Sequence, residues 1–147
     1  MSDLSLASSR ARTPPWLTLV ALGGIAWNLF GAVQFVRAIT ATPASLVAMG
    51  LTPDQAAVMT GQPLWMTLAF ALGVAGGLVG SALLLVRARP AREVLGASLG
   101  AYAVLWVGDA VHGVFAALGV GQVVILSLVV AIAGGLFAAS RHPAARA

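Results

Sequence analysis

Asp109 and His112 stand three residues apart in an otherwise apolar stretch, GAYAVLWVGDAVHGVF. On a helix that spacing puts a carboxylate and an imidazole on one face. These are the side chains from which proton relays and polar ligand sites are built inside membranes. Tyr102 lies seven residues before Asp109 and returns to nearly the same angle, with Trp106 flanking that face. An earlier apolar stretch repeats the spacing with Gln34 and Arg37, and Asn28 lies deeper in it. Asn28, Gln34, Arg37, Tyr102, Asp109 and His112 are therefore the candidate binding residues. Arg37 is long enough to reach inward. It is expected to approach Asp109, with Gln34 and His112 completing a network. Such a network is either a clamp fixing how two helices pack, or an outward-open site for a proton or small solute. In a third arrangement Arg37 snorkels to the surface and Asp109 faces a water-filled dip. Asn28 either bonds a neighbouring helix or contacts a ligand.

Other chemistries find no set of residues. The second histidine, His142, lies near the carboxyl end. His112 and His142 thus fall at different depths and cannot serve as paired haem ligands or as a zinc set. Ser81 and Ser98 are far in depth from His112, so no Ser/His/Asp triad assembles. No glycine-rich phosphate cradle is present. No cofactor, metal or catalytic residue is expected, and no enzyme activity.

The elements that must position these residues follow from composition. Of 147 residues, 60% are hydrophobic and 8% charged, there is no cysteine, and mean hydropathy is +0.98. Eight basic and four acidic side chains cannot give a fold of this size a polar skin. Soluble enzyme, disulfide module and disordered linker are excluded as first readings. Four apolar runs are long enough to cross roughly 30 Å of hydrocarbon, at about 15–38, 63–86, 94–118 and 121–139. The fold class is all-α: a single four-helix transmembrane bundle over 14–140. Residues 1–13 form a polar, mobile tail and 141–147 a second tail. The first run is too long for a signal peptide and is interrupted by Asn28 and Gln34, so it reads as a retained anchor. Residues 39–62 form a loop with two short helices, Pro43–Met49 and Pro53–Thr60. Thr42-Pro43 and Thr52-Pro53 each place a capping hydroxyl before a proline, and Thr52 with Gln55 makes a capping box. Gly50 and Gly61 stand where helix ends favour a left-handed residue.

All the basic residues are arginine. Arg10, Arg12, Arg87, Arg89, Arg92, Arg141 and Arg146 fall on one side of an alternating bundle and Arg37 on the other. The positive-inside rule then puts both termini in the cytoplasm and the 39–62 loop outside. Arginines clustered beside apolar runs serve threading; nucleic-acid binding needs them along a solvated face, so no nucleic-acid partner is expected. Trp16 and Trp65 stand at interface positions. Gly73/Gly77, Gly76/Gly80 and Gly96/Gly100 are small-xxx-small pairs, which serve either packing within the chain or a dimer seam.

Several local patterns also resemble a known group. They are Trp27-Asn28-Leu29 with Gly31, Thr52-Pro53, Pro63-Leu64-Trp65, Phe70-Ala71, Gly77 and Gly80, Leu83-Leu84-Leu85 before Arg87, and Ser98-Leu99. Together they are similar to small bacterial four-helix inner-membrane proteins, usually hypothetical and sometimes labelled "sugar transporter". The resemblance implies the architecture and an inner-membrane location, and carries over no catalytic residue. The expected function is a structural or accessory membrane component. The alternative is a small-solute or proton-linked transporter, which would need a homodimer to enclose a path. The expected partners are the lipid bilayer and either a second copy or a larger membrane complex.

Overall fold

The computed structural model describes residues 13–146. The first tail, with Arg10 and Arg12, lies outside the described residues except for Thr13. Helix α1 spans Pro15–Thr40, α2 Pro43–Ala48, α3 Pro53–Thr60, α4 Leu64–Leu85, α5 Ala91–Val111, α6 Val114–Leu118 and α7 Val120–Ser140, and a 3-10 turn follows at Pro143–Ala145. The described residues form no strand. Helices α1, α4, α5 and α7 are long and apolar enough to cross a membrane. Many of their large apolar side chains face outward, among them Leu19, Phe30, Leu72, Val107 and Ile125. That surface fits hydrocarbon as the surrounding solvent.

The long helices stop where the sequence supplies stops. Pro15 opens α1 at a position where a missing N–H costs nothing, and Pro63 precedes α4. The α4–α5 turn is a Schellman closure: Ala88 N–H donates to Leu83 O at 2.8 Å and Arg87 N–H to Leu84 O at 3.1 Å. Arg87 takes the left-handed conformation this closure needs, at φ 57°. For a non-glycine residue that costs on the order of 1–2 kcal/mol. Its guanidinium Nε donates to Ala144 O at 3.0 Å and ties the turn to the chain end.

Two boundaries differ from expectation. The third run is not one helix to residue 118. It ends at Val111, Gly113 turns left-handed at φ 76°, and α6 is a separate short helix before Gly119 at φ 77°. Glycine tolerates these angles, and apolarity alone did not reveal the break. Gly61 is not left-handed either, with φ −90°; its N–H simply continues the helical pattern to Ala57 O at 2.9 Å. Gly50, at φ 102°, does close α2 as expected, in a second Schellman pair.

Helix α4 packs along both α1 and α5, and α7 packs along α5 and meets α1. The core divides lengthwise into two clusters. One gathers Met66, Ala69, Val74, Tyr102, Leu105, Val114 and Leu126 toward the end carrying α2, α3 and α6. The other gathers Leu17, Ala21, Leu84, Ala91, Leu95, Leu136 and Ala145 toward the end carrying Arg87, Arg89, Arg92 and Arg141. The first is the loop end of the bundle and the second the arginine end. Among the described residues after α7, Ala145 is buried against the second cluster.

Candidate functional site

The six candidate residues separate into distinct groups. Asn28 is buried in α1, where its Nδ2 donates to Gly24 O at 2.8 Å and its Oδ1 accepts from the Tyr102 hydroxyl of α5 at 3.4 Å. This joins α1 to α5 across α4, which supplies Gly77 at the crossing. A Cβ on Gly77 would collide with the Asn28 amide. One turn along α4, a Cβ on Gly73 would come within 2.7 Å of the Tyr102 ring. Gly73 O also accepts from Ser98 Oγ at 2.6 Å. The two α4 glycines are thus the seat of the Asn28–Tyr102 bridge. The enclosed space among Trp27, Asn28, Gly77, Ser98 and Tyr102 leaves no room for a water molecule.

Gln34 and Arg37 form the second group. The guanidinium donates to Gln34 Oε1 at 3.3 Å, one helical turn back, on an exposed face of α1. Arg37 does not reach Asp109. At this end α4 lies between α1 and α5, and Asp109 is turned toward α7.

Asp109 belongs to the third group. It is 3% exposed and accepts from Gln122 Nε2, in the first turn of α7, at 3.2 Å. His112 sits at the C-terminus of α5, exposed, with its ring 5.6 Å from that of Trp65. Trp65 and Met66 in turn cover Gly108, where a Cβ would come within 2.7 Å of the indole. The carboxylate and imidazole share the α5 end, yet their partners come from different helices.

Several polar contacts were not singled out from the sequence. Gln122 is the partner of Asp109, Ser98 links α5 to α4, and Trp106 Nε1 donates to Ser127 Oγ of α7 at 3.0 Å. Gln55 does two jobs. Its Oε1 accepts from Thr52 N–H at 2.9 Å, closing the α3 capping box, and its Nε2 donates to Ala117 O at 3.0 Å, fastening α3 to α6. Both ends of its amide were available once the box was recognised, but the position of α6 was not. Ser81 Oγ is buried without a hydrogen-bond partner, directly behind Gly24 of α1.

Chemically, the Asn28 and Gln55 groups satisfy polar atoms within the chain and hold helices in register. The Asp109 group differs, because a buried carboxylate faces an amide and, among the described residues, no cation. Compared with known proteins, the chain matches no family model, no curated protein and no solved structure.

Proposed function

We propose that this chain is a small multi-pass protein of the bacterial inner membrane, with both termini cytoplasmic and a structural or accessory role without enzyme activity. The reading rests first on the Asn28–Tyr102 bridge. The most deeply placed polar pair is spent inside the chain, seated on α4 glycines, with no space for water beside it. The bridge therefore lines no open path at that depth. The arginines support the threading: Arg87, Arg89, Arg92, Arg141 and Arg146 share one end, and Arg37 lies toward the other. The resemblance to small four-helix inner-membrane proteins agrees with this location. The chain associates through its lipid-facing surface with a larger complex or with itself.

A proton-linked or small-solute transporter acting as a homo-oligomer is the second reading. The observation favouring it is Asp109, a buried carboxylate whose partner among the described residues is the Gln122 amide near a helix end. One comparison in reconstituted vesicles separates the two. Under the structural reading, Asp109→Asn lowers the melting temperature in detergent and leaves proton and solute flux at the wild-type level. If Asp109→Asn abolishes a flux that the wild type supports, while melting normally, the structural reading fails.

A further inference from the structure

An open apolar groove of about 450 Å3 runs between α1 and α7 at the arginine end. Its walls are Trp16, Val20, Gly23 and Gly24 on α1, and Ile132, Gly135, Leu136 and Ala139 on α7. From Trp16 to Gly24 the wall rises roughly 12 Å at 1.5 Å per residue, most of the depth of one bilayer leaflet. A Cβ at Gly23 or at Gly135 would meet nothing within 4 Å, so the chain itself fills neither place. Hydrocarbon-facing space of this width does not stay empty in a bilayer.

The mouth of the groove has a chemistry of its own. The His142 ring stands edge-on to Trp16, with centroids 5.0 Å apart. His142 Nδ1 accepts from Ala144 N–H at 3.2 Å, so Nε2 carries the proton of the neutral ring and is a donor with no acceptor among the described residues. Arg141 and Arg146 are exposed and adjoin this segment, Arg141 with its guanidinium 5.8 Å from the Phe137 ring centroid, on the α5 side of α7, and Arg89 and Arg92 lie at the same end. Glu93 is the one acidic side chain at that end among the described residues. A groove of leaflet depth that opens onto donors and positive charge matches a chain with an anionic head.

We propose that the α1–α7 groove binds one acyl chain of an anionic phospholipid, whose phosphate lies at the mouth by His142, favoured by the net positive charge of the arginine end. This rests on the bilayer reading above and adds to it a specific lipid site in the arginine-side leaflet.

The test is native mass spectrometry of the detergent-purified chain with added dioleoyl phosphatidylglycerol or dioleoyl phosphatidylcholine. The wild type retains one phosphatidylglycerol in preference to phosphatidylcholine. Gly23→Leu and Gly135→Leu, made separately so that one misfolded variant does not decide the matter, lose the retained lipid of either kind. Arg141→Gln with Arg146→Gln keeps acyl-chain retention but reduces the anionic preference by about fivefold per arginine. Equal retention of the two lipids by the wild type overturns the proposal, as does undiminished retention in both groove-filling variants. The chain has no cysteine, so Gly23→Cys is a clean probe for a second copy; a disulfide-linked dimer formed in membranes shows that another chain fills the groove and also overturns it. A chain that stays monodisperse in plain buffer removes the bilayer reading itself, and this is seen before any lipid is added.

Discussion

Two sets of glycines in this molecule have opposite surroundings. Along α4, Gly73, Gly77 and Gly80 each face a side chain from another helix: the Tyr102 ring, the Asn28 amide and Leu95. Along the α1–α7 groove, Gly23 and Gly135 face open space, as does Gly100 on the outer side of α5. The residue type and its membrane setting are the same. The partner differs. On α4 the missing Cβ admits a neighbour's side chain, and two of those side chains, Asn28 and Tyr102, form the hydrogen bond that ties α1 to α5 across α4. In the groove the missing Cβ leaves a channel. A small-xxx-small pattern therefore reports where backbone is bare, and only the opposing helix decides whether the bare strip is a seam or a slot.

The comparison is broken most directly by adding a methyl group to the filled set. Gly77→Ala puts a Cβ into the Asn28 amide, and that amide is already committed to Gly24 O and Tyr102. Overpacking of this kind costs about 1–3 kcal/mol. The expected outcome is a melting temperature lowered by several degrees in detergent, with the larger loss in any variant that also breaks the Tyr102 bond. Wild-type stability in Gly77→Ala would mean that α4 is not a seam. A smaller loss is expected for Gln55→Ala, which removes the α3 capping partner and the bond to Ala117 O together. Caps contribute roughly 0.5–2 kcal/mol. Because α3 and α6 sit at the loop end, the effect should appear as faster amide exchange in those two helices, with the exchange of α4 unchanged.

Much of this frame was legible in the residues. The four long helices, the two capped short helices and the α4 glycine seam follow from apolar run length, Thr-Pro pairs and glycine spacing. The site was legible only in part. Asn28 and Tyr102 stand out by type and depth, but nothing in the sequence joins them, because they meet through a gap that Gly77 opens in a third helix. The Asp109 partner was hidden by a boundary. Reflected about Gly119 and Gly121, Asp109 should face the middle of the last helix. The chain instead breaks at Gly113 and spends a helical turn in α6, which brings the first turn of α7, and Gln122, beside it. Charge alone pairs Asp109 with Arg37, the one arginine expected on that side. The interposed α4 and the nearer Gln34 overrule it.

The smallest effect belongs to the open set, and it is the most informative. Gly135→Ala adds a methyl group where nothing of this chain lies within 4 Å. Surface changes of this kind stay within about 0.5 kcal/mol, so the variant should melt with the wild type in detergent, and Gly100→Ala should match it. Agreement between the two would show that the α1–α7 groove carries none of the monomer's stability. A clear loss at Gly135 and none at Gly100 would separate the positions: the groove would then hold an occupant that tolerates no added methyl group even in detergent, while the outer face of α5 would be plain surface. Repeating the pair after exhaustive delipidation decides whether that occupant is lipid, because a lipid-dependent loss at Gly135 disappears once the lipid is gone.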